Sequence, residues 1–271
     1  MESAVTFEKS RFGKRMRSML KVDFKRMCRS KLFYILIACA LVIPILMTVM
    51  MTMMDGSVSV DPQTGAETVV HGPENTWQSI GTLPAEEGEA PGGTDVMAMC
   101  NINMMFMGAA VFICLFISED FRSGYAKNLF TVRARRGDYV VSKTAAGFVC
   151  GALMLAAYLI GALLGGAISG LSFDLCGLSA GNIVMCMIAK VFLMLVFIAI
   201  DVLVSVAAKQ KAWLCLCGSL AAGMLLFMTV SVITPLASTM MNVLLCLAGG
   251  ALFALGLGAV SNTILKKTSL V

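Results

Sequence analysis

Long apolar runs separated by short charged stretches organise this chain. Residues 32–54, 96–118, 144–173 and 212–265 hold no charged residue. A helix needs about 20 apolar residues to cross a bilayer. The last run is long enough to cross twice, with a turn at Thr234-Pro235, because proline lacks an N–H and restricts the residue before it. A further span fits residues 181–208, although Lys190 and Asp201 lie inside it. The pattern predicts an all-α membrane protein with six transmembrane helices: 32–54, 96–118, 144–169, 181–208, 213–233 and 242–265. Residues 234–241 form an outer turn or a re-entrant piece.

The first 31 residues differ. From Ser10 onward, Phe12, Met16, Met19, Leu20 and Met27 fall near one helical face. Arg11, Lys14, Arg15, Lys25 and Arg29 fall largely elsewhere. This is the pattern of an interfacial helix lying on a leaflet, its bases among anionic headgroups. Residues 55–95 form the longest connector. Their segment Ser57–Val70 alternates around Pro62-Gln63-Thr64-Gly65 and suggests a short β-hairpin. The remainder, to about Thr94, is rich in Gly, Pro and Glu and reads as mobile.

Composition agrees with a bilayer solvent. Hydrophobic residues make up 58% and charged residues 14%, against roughly 25% charged in soluble domains. Charge placement then orients the chain. Residues 55–95 carry eight acids and no Lys or Arg, while residues 1–31 carry ten bases. Basic loops stay in the cytoplasm, so both termini and residues 119–143 are expected inside. The first run starts too late and is too long for a signal peptide. The ten cysteines fall mostly inside the runs, which argues against a disulfide framework. No G-x-x-x-x-G-K-[ST] occurs, and the single histidine, His71, lies in the outer loop. Neither a nucleotide site nor classical catalysis is expected, nor is a nucleic-acid partner.

The inner segment after the second run holds six bases and three acids over Ile117–Lys143. Ser118 is positioned to cap a short helix with Glu119 and Asp120 in its first turn. A break follows around Thr131–Gly137, and a second helix starts near Asp138. In order and spacing, Glu119, Gly124, Leu129-Phe130, Arg135-Arg136, Tyr139 and Lys143 resemble the cytoplasmic region of type-2 ATP-binding-cassette (ABC) exporter permeases. Tyr125 stands where that family has Thr, and the elbow lacks its usual Pro.

The resemblance implies a coupling helix near residues 121–130, seated on a separate ATPase subunit that carries ATP and Mg. Glu119, Phe121, Arg122, Gly124, Leu129 and Phe130 are then the coupling residues, with the aromatics and Leu129 filling the partner's groove. Glu119 would pair with a base of the N-terminal helix or of the partner. The resemblance also implies a second permease subunit, identical or not. The location would be the bacterial cytoplasmic membrane and the cargo amphipathic: an antimicrobial peptide, an antibiotic or a lipid-like molecule, often in a setting of drug resistance. The chain itself would hold no cofactor.

Other features carry less. Lys190 and Asp201 are costly inside a span and should face the protein interior; Asp201 is close enough to the inner end to seek Lys209 or an N-terminal base. The pairs Gly147/Gly151, Gly161/Gly165 and Gly166/Gly170, and the stripe Gly250/Ala254/Gly258, fit close helix packing. Met47, Met50, Met51, Met53 and Met54 close the first run, and Met97, Met99, Met104, Met105 and Met107 open the second. Thioethers fill irregular apolar space but also bind Cu(I). Two other readings stay open: a membrane partner or assembly subunit that does not transport, and an ion or copper permease.

Overall fold

In a computed structural model, residues 2–60, 67–69, 72–81, 101–132, 136–175, 177–209 and 211–267 are described. The helices are α1 (Glu2–Arg29), α2 (Lys31–Met54), α3 (Met104–Arg122), α4 (Tyr125–Val132), α5 (Gly137–Ser169), α6 (Ala180–Ala208), α7 (Ala212–Ile233) and α8 (Met240–Lys267). Among the described residues, α2, α3, α5, α6 and α8 are long and apolar enough to cross a membrane. Helix α7 is apolar over 22 residues.

The bundle has a centre and a rim. Helices α3, α5 and α6 pack on one another. Helix α2 lies along α5, α8 along α6, and α7 against both α3 and α6. Two-thirds (67%) of the most apolar stretch of α3 is buried, against 22% of that of α2 and 17% of that of α8. The rim exposes large apolar side chains such as Leu225, Val232, Met241 and Leu255, which suits helices whose outer faces are solvated by lipid.

Small residues set the closest approaches. A Cβ on Gly161 would sit 2.2 Å from the Leu41 carbonyl oxygen of α2, and one on Gly147 would meet Ile113 of α3 at 2.3 Å. On α8, Gly250 approaches the Phe192 carbonyl of α6 in the same way. These contacts lie within one subunit. Gly170 does not belong to such a stripe. It closes α5 with φ +70 and has open space around it, as a left-handed helix cap requires.

Several boundaries differ from the sequence expectation. The second apolar helix runs Met104–Arg122 rather than over 96–118. At its start Asn101 turns the chain by accepting the Asn103 backbone N–H. At its end Asp120 is neutralised by Lys143 and Arg26, so the helix continues past Ser118. Helix α5 likewise starts at Gly137, before residue 144.

After α2, Val58–Val60 (β1) and Glu67–Val69 (β2) pair antiparallel. The Pro62–Gly65 turn expected between them lies outside the described residues. So do Thr82–Cys100, including Met97 and Met99, and Arg133 and Arg135 of the elbow. The stretch after the strands is not a loose tail throughout. Residues 75–81 dock on the α5–α6 connector: Asn75 Nδ2 donates to the Asp174 carbonyl, and Trp77 Nε1 to the Phe173 carbonyl. The Trp77 and Phe173 rings meet edge to face. Two aromatic anchors and paired backbone groups hold this piece where composition alone suggested motion.

Candidate functional site

The densest polar site joins α1, α3 and α5 at one end of the bundle. Asp23 occupies the apolar stripe of α1, one turn from Met19 and one from Met27, and all three are buried. Lys143, fully buried on α5, places Nζ 2.8 Å from Asp23 and 2.7 Å from Asp120 of α3. Arg26 pairs with Asp120 at 2.5 Å. Tyr139 donates its hydroxyl to Asp120 at 3.0 Å, and Ser142 donates to Asp23. Two acids and two bases thus cancel with Asp23, Asp120 and Lys143 buried and Arg26 half-buried, and two hydroxyls add hydrogen bonds to the carboxylates. Such a cluster is tolerable only when fully paired.

Aromatic faces complete it. The Lys143 ammonium stands 4.0 Å from the Phe116 ring centroid, and the Arg26 guanidinium 4.2 Å from that of Tyr125. Burial opposes the Arg26 charge, but Asp120 and, more weakly, Asp23 outweigh it and raise its pKa. Burial pushes the Tyr125 phenol above its ordinary value; Asp23 adds to the rise, and Arg26 opposes it. A second clamp ties Arg15 of α1 to Asp138 in the first turn of α5, at 3.2 Å. A third runs from Arg136 to the Leu265 carbonyl near the end of α8.

Helix α4 projects from this hub. Helix α3 ends at Arg122, and the chain reverses at Ser123-Gly124. Gly124 has φ +74, a left-handed conformation that favours glycine. The Ser123 hydroxyl donates to the Glu119 carbonyl, and Asn128 N–H donates back to the Gly124 carbonyl to open α4. On α4, Ala126 is buried and Leu129 and Phe130 are half-buried, while Lys127, Asn128 and Thr131 are exposed. The Phe130 ring packs edge to face on Tyr139, with Arg136 over its other side.

Three expectations therefore change. Glu119 and Asp120 do not open a short helix under a Ser118 cap. They lie in the final turns of α3, where the half-buried Arg26 and the buried Lys143, both paired with Asp120, compensate the unfavourable end of the helix dipole. The acid that engages the N-terminal helix is Asp120; its neighbour Glu119 is exposed and forms no ion pair among the described residues. Phe121 does not project toward a partner. It is buried, and its ring faces Tyr139. Of the six residues assigned to coupling, Glu119 and Arg122 are exposed, Gly124 forms the turn, and Phe121, Leu129 and Phe130 support α4 from inside.

Lys190 and Asp201 lie apart from this hub and from each other. Lys190 is fully buried and donates to Asn103 Oδ1 at 2.8 Å and to Thr234 Oγ1 at 2.9 Å. It bridges the start of α3 to the end of α7 through neutral acceptors. Asp201 is buried beside Cys114, Cys215 and Ser219, and its Oδ2 has no hydrogen-bond partner. Among the described residues it pairs neither with Lys209 nor with a base of α1. Eight residues of helix put Lys209 about 12 Å further along the axis, where it is exposed. Met50, Met53 and Met54 are exposed, and Met105 is buried.

Sequence reasoning named Lys143 only as a motif match and Asp120 only as a first-turn acid, and missed Asp23 and Arg26. One signal was available: an acid within the Met19–Met27 stripe of an otherwise basic helix.

The fold and the hub define a polytopic helical membrane protein that carries a small helix outside its spans. The chain belongs to the family described as ABC-2 family transporter protein, which matches residues 19–224, from α1 into α7. It is therefore a multi-pass membrane component of a transporter, and the family generally works with an ATPase subunit. No curated protein and no solved structure matches it.

Proposed function

We propose that this chain is the six-span permease subunit of an ATP-driven exporter and that α4 receives the motion of a separate ATPase. The observation that supports this most is the neutral hub Asp23–Arg26–Asp120–Lys143. It ties the helix before α4 to the helix after it, and both to α1. A push on α4 would thus move α3 and α5 as one body rather than bend a loose connector. Glu119, Arg122, Lys127 and Asn128 form the outward face that meets the ATPase. Phe121, Leu129 and Phe130 hold that face in place, and Gly124 sets its angle.

In this reading both termini and α4 are cytoplasmic, and the strand pair and Trp77 lie outside. Two membrane subunits and two ATPase subunits assemble in a bacterial cytoplasmic membrane. The exported cargo is amphipathic: an antimicrobial peptide, an antibiotic or a lipid-like molecule, and drug resistance is one setting. The test is co-purification with the cognate ATPase after charge reversal on the outward face. Arg122→Glu with Lys127→Glu should weaken association at least tenfold while membrane insertion persists. Unchanged association and transport would favour a membrane partner that does not transport.

A further inference from the structure

Two thiols from different helices meet where α3, α6 and α7 pack together. Cys114 of α3 and Cys215 of α7 are fully buried and belong to one cluster with Ala208. Both are free. Their sulfurs lie 3.7 and 2.9 Å from the same hydroxyl, that of Ser205 on α6. The hydroxyl gives its one hydrogen to the nearer Asp201 carbonyl, at 2.6 Å. Its lone pairs are left for the Cys215 S–H. The Cys114 S–H donates to the Ser219 hydroxyl of α7 at 3.1 Å.

This setting differs from that of a cysteine used as apolar filler. Cys150 of α5 is equally buried and makes no hydrogen bond among the described residues. Apolar surroundings of that kind leave a thiol inert. Around Cys114 and Cys215, hydroxyls touch both sulfurs and can stabilise the negative charge that develops on sulfur when it reacts. The pair also lies close to water. The Cys215 N–H donates to the Lys211 carbonyl one turn away, and Lys209 and Lys211 of that connector are exposed.

We propose that Cys114 and Cys215 are a reversible redox pair, joined by a disulfide when a membrane-permeant peroxide reaches them. One sulfur attacks the peroxide: an S–O bond forms, the O–O bond breaks, and the thiol proton leaves with the departing oxygen as water. The second thiol then attacks that sulfur. An S–S bond replaces the S–O bond, and a second water leaves. The two thiols are oxidised to one disulfide, and the peroxide is reduced to two waters. A dithiol reductant reverses the step by exchange. Transient, redox-sensing bonds are the usual kind of disulfide in a reducing compartment. The bond ties α3 to α7. Since α3 moves with α4 in the reading above, the bridge would hold the moving body against the rim. That consequence rests on the coupling reading, whereas the bond itself does not.

The test uses the full chain, purified in detergent without an ATPase and treated with hydrogen peroxide. Remaining thiols are then blocked with N-ethylmaleimide in denaturant, and the proteolytic peptides are mapped by mass spectrometry. A peptide pair joined through Cys114 and Cys215 is expected, lighter by two hydrogens than its separate parts and released by dithiothreitol. Cys150 should be recovered as a blocked thiol. Cys114→Ser should abolish the pair and leave Cys215 as a sulfenic acid that dimedone traps. The exposed Cys217 reports that the oxidant has acted. Recovery of both Cys114 and Cys215 as blocked thiols after Cys217 is oxidised overturns the proposal. So do bridges to Cys150 as abundant as the bridge between the two. Because the readout omits the ATPase, either result leaves the docking reading to its own test.

Discussion

Replacing Lys143 by methionine keeps the length of the side chain and removes one charge from a fully buried position. The ammonium lies 2.8 Å from Asp23 and 2.7 Å from Asp120. Without it, two buried carboxylates share Arg26, whose contact to Asp23 is only 4.0 Å. Breaking a buried pair in this way costs about 3–5 kcal/mol. By the usual scaling for larger domains, that lowers the melting midpoint by on the order of 10 °C. Detergent-solubilised protein heated and assayed for its remaining monodisperse fraction reads this directly. Lys21→Met, at an exposed position of the same α1, should change stability by less than about 0.5 kcal/mol. Adding Asp23→Asn to Lys143→Met should cost less than the two single changes summed, because one partner of the lost pair is then neutral. A Lys143→Met protein that melts with the wild type would show that the hub is not buried and paired as described.

Other outcomes follow from the same geometry. Lys190→Met removes donors to Asn103 and Thr234, so it should loosen the α3–α7 junction and lower thermal stability by about 1–3 kcal/mol; no change would mean that the lysine reaches water or headgroups. Asp201→Leu should alter activity or assembly more than Glu87→Leu in the acidic connector, because Asp201 is buried among thiols and hydroxyls; equal, negligible effects would place Asp201 in contact with solvent. A cysteine at Ser59 should react with an impermeant maleimide from outside intact cells, and one at Thr131 should react only after permeabilisation; the reverse pattern would invert the topology. The Tyr125 phenol, raised by burial, should titrate above about 10 in a difference spectrum against Tyr125→Phe. Since the folded form holds that proton to higher pH than the unfolded one, its contribution to stability is complete below the unfolded value and is lost as pH rises through the folded one.

Hydropathy located the helices because a backbone in lipid must satisfy itself, and apolar runs of about 20 residues do so as helices. The ends were harder to read. The second apolar helix continues through Glu119 and Asp120 because Lys143, distant in sequence, and Arg26 of α1 neutralise its end. Read locally, the same acids suit the start of a new helix. Glu119 and Asp120 are adjacent and chemically alike, so only packing decides which one turns inward. Phe121 illustrates the same limit: an aromatic beside a basic loop fits an external groove and an internal one equally well, until Tyr139 is seen opposite it. Gly124 was legible as a member of a family pattern, and its positive φ explains why that position turns the chain.

The most direct test of the central claim is a photo-crosslinking residue at Asn128, exposed on α4. With the cognate ATPase co-expressed, ultraviolet light should yield a covalent permease–ATPase adduct from this position, whereas the same residue at Ser59 of β1 should give none. An adduct whose yield changes between nucleotide-free and ATP-bound conditions would show that α4 follows the motor. Absence of any ATPase adduct at Asn128, with the complex still co-purifying, would contradict the assignment of α4 as the coupling element.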